Sequence, residues 1–394
     1  MNEYTPGRAL VLVGLLFTAG MSAGLGVGLL GAERANARNS QIARFEDVFE
    51  QIDRAYVDPV DRDAMVDAAI RGMLASLDEH SRWMSAEQAA ELSQHRDGAY
   101  DGIGVELQTS TEEVRVIGVI PGSPAERAGL GTGDRIVAIN GETALTEIDR
   151  LTRQLDGPNG ETVVLTIQRD GWSEPRELRP VRDRVLVPSV SVARYGKVLY
   201  LRLSQFQRGS ADDVAAALAS EPPFDALVLD LRDNPGGLLD ESLKVADLFL
   251  ADGVIATARS RTNGIEEFSA QPNALSANIP IAVLVNEMSA SGSEIVAAAL
   301  QDSGRAKLVG HATYGKGTVQ SVFIYPDQSA LKLTTGRYYT PSGKPVTSHQ
   351  GRAPDVLVDS PASGNIPWSL QADDRLAADT QLQKALSMVT PAPM

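Results

Sequence analysis

The sequence predicts a multidomain α/β protein, with a helical segment and a β-rich unit ahead of a core in which strands alternate with helices. Three observations carry that prediction. The chain has 394 residues, more than one small domain usually holds. Between about residues 98 and 182, short apolar segments are separated by glycine and Asn-Gly turns, the punctuation of a compact β-unit. From Arg184 onward, apolar runs such as Val198–Leu203, Ala226–Leu231 and Ile281–Val285 alternate with helix-period segments. That is the pattern of a sheet buried on both faces.

Composition excludes several functions. Net charge is −15 with a pI near 4.8, the wrong sign for a nucleic-acid binder. With no cysteine, disulfides, thiolate metal sites and cysteine catalysis are excluded. Four histidines, His80, His95, His311 and His349, leave few options for a histidine base. No motif calls for a metal or a cofactor.

In chain order, residues 1–38 contain an uncharged run from Ala9 to Ala32. Its 24 residues suit a membrane anchor, which needs about 20, better than a signal-peptide core of about 7–15. The alternative is cleavage after Ala35-Asn36-Ala37. Either reading sends the body of a bacterial protein to the periplasm. Residues 39–97 read as helical, with Phe45, Val48, Phe49, Ile52 and Tyr56 on one face, a break at Asp58-Pro59, and a third helix opening at Ser85. This unit is too small for a core of its own. Residues 98–182 form the β-rich unit, residues 183–360 the α/β core, and residues 361–394 a tail with a closing helix from Asp373 to Val389.

The chemistry gathers at Ile281–Gln320. A buried strand, Ile281–Val285, runs into Ser289, Ser291 and Ser293 on alternate positions, and an apolar helix follows. A side chain at a buried helix N-terminus is where a nucleophile and an oxyanion site can coincide. The central serine, Ser291, is the best-placed nucleophile, and Lys316, between Gly315 and Gly317, its base. A lysine must be neutral to act, and moving its pKa from about 10.4 to near 7 costs about 4.6 kcal/mol, which burial can supply. Gln320 is placed to orient the amine if the flanking glycines turn the chain. A second strand-to-helix turn, at Gly236-Gly237, offers further backbone N–H donors, and Gly292 completes the oxyanion set.

Two resemblances sharpen this reading. The pair SPAERAGL and GDRIVAING resembles a PDZ domain, which implies that the loop Gly102-Ile103-Gly104-Val105 receives a peptide C-terminus while the peptide adds as a strand. The segments LVLDLRDNPGGLL, NEMSASGSEIVAAALQD, GHATYGKGTVQ and GRYYTPSGKP resemble the carboxyl-terminal processing (tail-specific) protease family from about Phe45 onward. That resemblance implies a crotonase-like ββα protease core with an inserted PDZ domain. It also implies a Ser291–Lys316 dyad supported by Gln320, and oxyanion donors at Gly236 or Gly237 and Gly292. The partners it implies are proteins or peptides with accessible C-termini, a homo-oligomer, an adaptor protein, and the inner membrane through the N-terminal segment. This chain departs from the family at Glu79, where proline is frequent, at Gly292, where alanine is usual, and at Asp156-Gly157-Pro158, where Arg-Gly-Pro is usual. The competing readings are a catalytically silent PDZ scaffold and an acyl-CoA enzyme on a crotonase-like core.

Overall fold

A computed structural model describes residues 40–110, 113–144, 146–155, 157–272, 279–346, 351–359 and 376–390. The apolar segment Ala9–Ala32, Asp156 and His349 lie outside them. The chain divides into two units between Leu77 and Asp78.

The first unit holds helix α1 (residues 40–55) and helix α2 (Arg62–Ala75). Asp61 starts α2 by accepting hydrogen bonds from the N–H groups of Asp63 and Ala64. Phe45, Val48, Ile52, Val66 and Met73 are exposed, so the periodic apolar faces read from the sequence do form helices without burying them in this unit.

The second unit opens with a correction. Residues 39–97 are not all helical: β1 (Arg82–Met84) pairs antiparallel with β18 (Ala330–Tyr339). Three residues are too few for a period-2 signal, and the partner strand lies far along the chain. Helix α3 (Ala86–Arg96) follows, where Ser85 and Gln88 cap each other reciprocally.

The β-rich unit is joined by β2 (Ala99–Gly102), which pairs with β9 (Asp183–Leu186). Between them lie β3 (Val105–Thr109), β4 (Val114–Val119), α4 (Pro124–Arg127), β5 (Arg135–Ile139), β6 (Glu142–Thr143), α5 (Ile148–Leu155), β7 (Leu165–Gln168) and β8 (Arg176–Leu178). Their sheet has the order β3-β4-β5-β7-β8, so β3 is an edge strand. A separate core holds Val116, Ile136, Leu151, Leu165 and Ile167.

In the α/β core, β10 (Val190–Tyr195) pairs antiparallel with β11 (Val198–Leu203). Parallel strands β12 (Ala226–Asp230), β15 (Ile281–Val285), β16 (Lys307–Gly310) and β19 (Val356–Leu357) continue the sheet in the order β10-β11-β12-β15-β16-β19. Helices α6 (Ser210–Ser220), α7 (Leu239–Asp247) and α8 (Gly292–Asp302) provide crossovers. Alternate residues of β11 enter different cores: Leu199, Leu201 and Leu203 join the cluster containing α6, α7 and α8, whereas Val198 and Tyr200 join the one containing α10 (Thr380–Val389). A second sheet carries β13 (Val254–Ser260), β14 (Gly264–Ser269), β17 (Thr318–Ile324) and the long β18, which pairs with β1, β13 and β17.

The closing helix is also corrected. A short turn α9 (residues 376–378) ends before Asp379, whose carboxylate caps α10 by accepting from Leu382 N–H at 2.9 Å. Asp379 is fully buried because the same carboxylate receives the Arg232 guanidinium.

Candidate active site

Three loops meet at the C-terminal ends of the adjacent parallel strands β12, β15 and β16, the edge where open α/β sheets bind ligands. They are 231–238, 286–291 and 311–317. Ala290 N–H donates to Asn234 O at 3.0 Å, and Tyr314 N–H donates to Ser289 O at 3.0 Å. Asp233 and Asn286 exchange two hydrogen bonds, of 2.9 and 2.8 Å.

The serines separate by what their hydroxyls do. Ser289 Oγ donates to Leu231 O at 2.7 Å, and Ser293 Oγ donates to Asn234 O at 2.8 Å. Both are buried ties between neighbouring loops. At the start of α8, Ser291 N–H donates to the Glu294 carboxylate and Ser291 O accepts from Glu294 N–H, both at 2.9 Å. The Ser291 hydroxyl makes no capping bond, and its proton is committed to no acceptor among the described residues. Its backbone is at φ 53° and ψ −110°, a conformation costly for a residue with a Cβ. A strained turn before a helix lifts one small side chain clear of its own backbone.

Gly236 and Gly237, with φ of 98° and 147°, lie against this turn. A Cβ on Gly236 would sit 2.8 Å from Ser291 Cβ and 2.9 Å from Gly292 N. One on Gly237 would sit 2.1 Å from Phe206 O, because Phe206 clamps this loop by donating to Gly236 O and accepting from Leu238 N–H. Gly236 N–H already donates to Asn234 Oδ1 at 2.9 Å. The N–H groups of Gly237 and Gly292 have no partner among the described residues.

Lys316 is half-buried. Burial lowers its pKa below the ordinary lysine value, opposed by the nearby carboxylates of Glu294 and Glu79. No hydrogen bond joins its amine to Ser291 or to Gln320 among the described residues. Gln320 instead donates from Nε2 to Thr318 Oγ1 at 2.7 Å. It sits beside a β-bulge at Val319/Gln320.

Glu294 is the residue that sequence reasoning missed. Fully buried, it accepts from Ser291 N–H at 2.9 Å, Thr313 Oγ1 at 2.6 Å, Gly315 N–H at 2.7 Å and Lys316 N–H at 2.8 Å. One carboxylate therefore fixes the serine turn and the lysine loop together. Burial raises its pKa, opposed by these four donors. The signal was available: Ser291-Gly292-Ser293-Glu294 has the spacing of a capping box.

Comparison with known proteins adds to this geometry. The family model for peptidase family S41 matches residues 197–358, a PDZ model matches 115–169, and the CtpB N-terminal domain model matches 28–88. The carboxy-terminal-processing protease of Bartonella bacilliformis is 40% identical over 361 residues, 88% of this chain and 82% of its own length.

The chain belongs to peptidase family S41, the carboxyl-terminal processing proteases.

It is a serine-type endopeptidase of that family with an embedded PDZ domain. The chain is also similar to a "Probable CtpA-like serine protease" of Staphylococcus aureus, at 34% identity over 82% of this chain and 66% of the relative. Among solved structures, the photosystem II D1 C-terminal processing protease matches at 30% identity and a TM-score of 0.50, covering 80% of this chain and 92% of that one.

Elsewhere in the protease, Ile103 O accepts from Ala125 N–H at 2.8 Å and Gly104 O from Ile120 N–H at 3.0 Å. These bonds hold the Gly102-Ile103-Gly104-Val105 loop at the start of edge strand β3, and leave the Ile103 and Gly104 N–H groups without partners among the described residues. At Gly157, beside the departure at Asp156, the half-space that a Cβ would need is filled by the Arg182 guanidinium, 2.8 Å away. Arg182 donates to Leu155 O at 2.8 Å. His311 lies 3.7 Å from Asp359, and His80 lies 3.9 Å from Glu79. Neither is bonded to Ser291.

Proposed function

We propose that Ser291 and Lys316 form the catalytic dyad of an envelope endopeptidase that selects substrates by their C-termini. The observation that carries this reading is the contrast among the serines: Ser289 and Ser293 spend their protons on backbone carbonyls, while Ser291 keeps its own on a turn that shares the Glu294 carboxylate with half-buried Lys316. Neutral Lys316 accepts the Ser291 proton as Oγ attacks the scissile carbonyl. The N–H groups of Gly237 and Gly292 receive the developing oxyanion, with Gly236 shaping their approach. The lysine proton then passes to the leaving amine, and water hydrolyses the acyl-enzyme with Lys316 again as base. Gln320 turns toward the amine once substrate displaces its bond to Thr318. The substrate C-terminus docks at the Gly102–Val105 loop and extends β3.

The apolar Ala9–Ala32 segment supports a periplasmic location in a bacterium, with the chain anchored at the inner membrane or released after cleavage. No described helix is long and apolar enough to cross a membrane. The exposed apolar faces of α1 and α2 suit a homo-oligomer, and an adaptor protein remains a partner class for this surface. In the test, Ser291→Ala and Lys316→Ala each abolish cleavage of an unstructured reporter while the circular-dichroism melt is retained. Ordinary turnover by Lys316→Ala would overturn the dyad. Labelling of Ser291 by a serine-reactive probe is the expected companion result, and a folded chain that stays unlabelled would overturn Ser291 as the nucleophile.

A further inference from the structure

A group of cations, close enough to one another and to Lys316 to interact, has no carboxylate paired with it among the described residues. In the pairing of β1 with β18, Arg82 stands directly opposite Lys332. Like charges placed that way destabilise a sheet. Lys332 and Arg96, at the end of α3, are half-buried, and Arg82 is exposed. None of Arg82, Arg96 and Lys332 makes an ion pair or a side-chain hydrogen bond to any described residue. Other arginines without an ion pair among the described residues, such as Arg135, Arg153 and Arg337, are exposed, whereas half-buried ones such as these are paired: Arg169 with Asp134, Arg232 with Asp230 and Asp379, and Arg352 with Asp302.

The position of the group relates it to the site. Lys332 shares a face of β18 with Thr334, two residues on, and Thr334 is the cross-strand partner of Gln320. Thr334 also anchors the turn ahead of β1: its N–H donates to Ser81 Oγ at 3.1 Å, and its hydroxyl donates to Asp78 at 3.2 Å. Burial and the neighbouring charges of Lys316, Arg82 and Arg96 all disfavour the charged form of Lys332. The acids near this region do not offset the charge of Lys332: Glu294 and Glu79 act on Lys316, and Asp78 accepts from Thr334, Ser81 and His80. Glu294 is already saturated by four donors.

We propose that Lys332, with Arg82 and Arg96, forms a subsite that receives a carboxylate of the substrate peptide next to the scissile bond. A carboxylate entering here supplies the missing counter-charge and relieves the Arg82–Lys332 repulsion. Both an acidic side chain and the peptide's own C-terminal carboxylate have this chemistry. The proposal rests on the protease reading for the identity of its ligand as a peptide.

The test uses the full chain carrying Ser291→Ala, so that binding is read without turnover. Fluorescence anisotropy compares unstructured peptides with glutamate or glutamine at each position within three residues of the scissile bond, each as free acid and as C-terminal amide. At one position the glutamate peptide binds about tenfold tighter, the scale of one charge-assisted contact, and added salt erodes the difference. Lys332→Gln and Arg82→Gln each reduce that ratio several-fold. A ratio that follows glutamate assigns an acidic side chain, whereas one that follows amidation and is lost in Lys332→Gln assigns the C-terminal carboxylate. Equal binding of acidic and neutral peptides, or a preference unmoved in both variants, overturns the subsite. Cleavage of the neutral peptide by the unsubstituted chain reports separately on the dyad, so failure of one reading is distinguishable from failure of the other.

Discussion

Lys316 carries opposing influences that a pH profile separates. Burial favours its neutral form, while Glu294 and Glu79 favour the cation. As a general base it works only when neutral, so kcat/KM is low below its pKa and rises with pH through it. The midpoint is expected below the ordinary lysine value of about 10.4. Removing the Glu79 charge takes away one influence that holds the proton on. Glu79→Gln therefore moves the rising limb to lower pH, measured as the pH dependence of kcat/KM on a neutral peptide. A limb that stays in place, or moves to higher pH, contradicts Lys316 as the titrating base. At the same scale, the choice among serines was only partly legible. Alternation placed Ser289, Ser291 and Ser293 on one turn, but which hydroxyls would be spent depended on Leu231 and Asn234, carbonyls more than fifty residues upstream.

Helix α8 shows how an element can join two halves of a site. Its Glu294 gathers donors from its own N-terminus and from the loop after β16, so the serine and lysine backbones share one buried acceptor. Glutamine is nearly isosteric but puts an NH2 donor where the carboxylate accepts, leaving at least one buried N–H or hydroxyl unsatisfied. Glu294→Gln is expected to lower stability by about 3 kcal/mol, the scale of a lost bond to a buried charge plus an orphaned donor. It should also lower kcat more than it changes KM, since loop alignment is disturbed rather than peptide docking. Urea denaturation and steady-state kinetics on the same preparation check both parts. The parallel strands were readable as continuous apolar runs, because burial on both faces leaves no room for polar alternation. Strand β1 was not, because its three residues become a strand only by pairing with β18.

Across the whole molecule, the C-terminal helix is tied to the loop that carries Gly236 and Gly237. Arg232 follows β12 and bridges Asp230 and Asp379, donating also to Gln381 Oε1 at 3.0 Å. Burial opposes its charge, but the two aspartates outweigh this and hold its pKa well above the ordinary arginine value. Without Asp379, Arg232 keeps Asp230 but loses one of two buried counter-charges, and α10 loses its cap. A loss of about 3 kcal/mol, the low end for a broken buried pair, is therefore expected. Asp379→Ala should show that loss in denaturant midpoint, and a loss below about 1 kcal/mol would mean the pair behaves as an exposed one.

The sequence by itself determined the family, the order of helical, PDZ and α/β units, and the turns on which Ser291, Lys316, Gly236 and Gly292 sit. Local periodicity, glycine placement and contiguous motifs are properties of neighbouring residues, so they survive without a fold. Tertiary structure decided what those turns are tied to: Glu294 beneath both Ser291 and Lys316, Arg182 against Gly157, Asp379 on Arg232, and uncompensated Lys332 opposite Arg82. Each of these pairs a buried or half-buried charge with residues from another part of the chain. Their energetics depend on burial and on distance in space, neither of which sequence separation encodes.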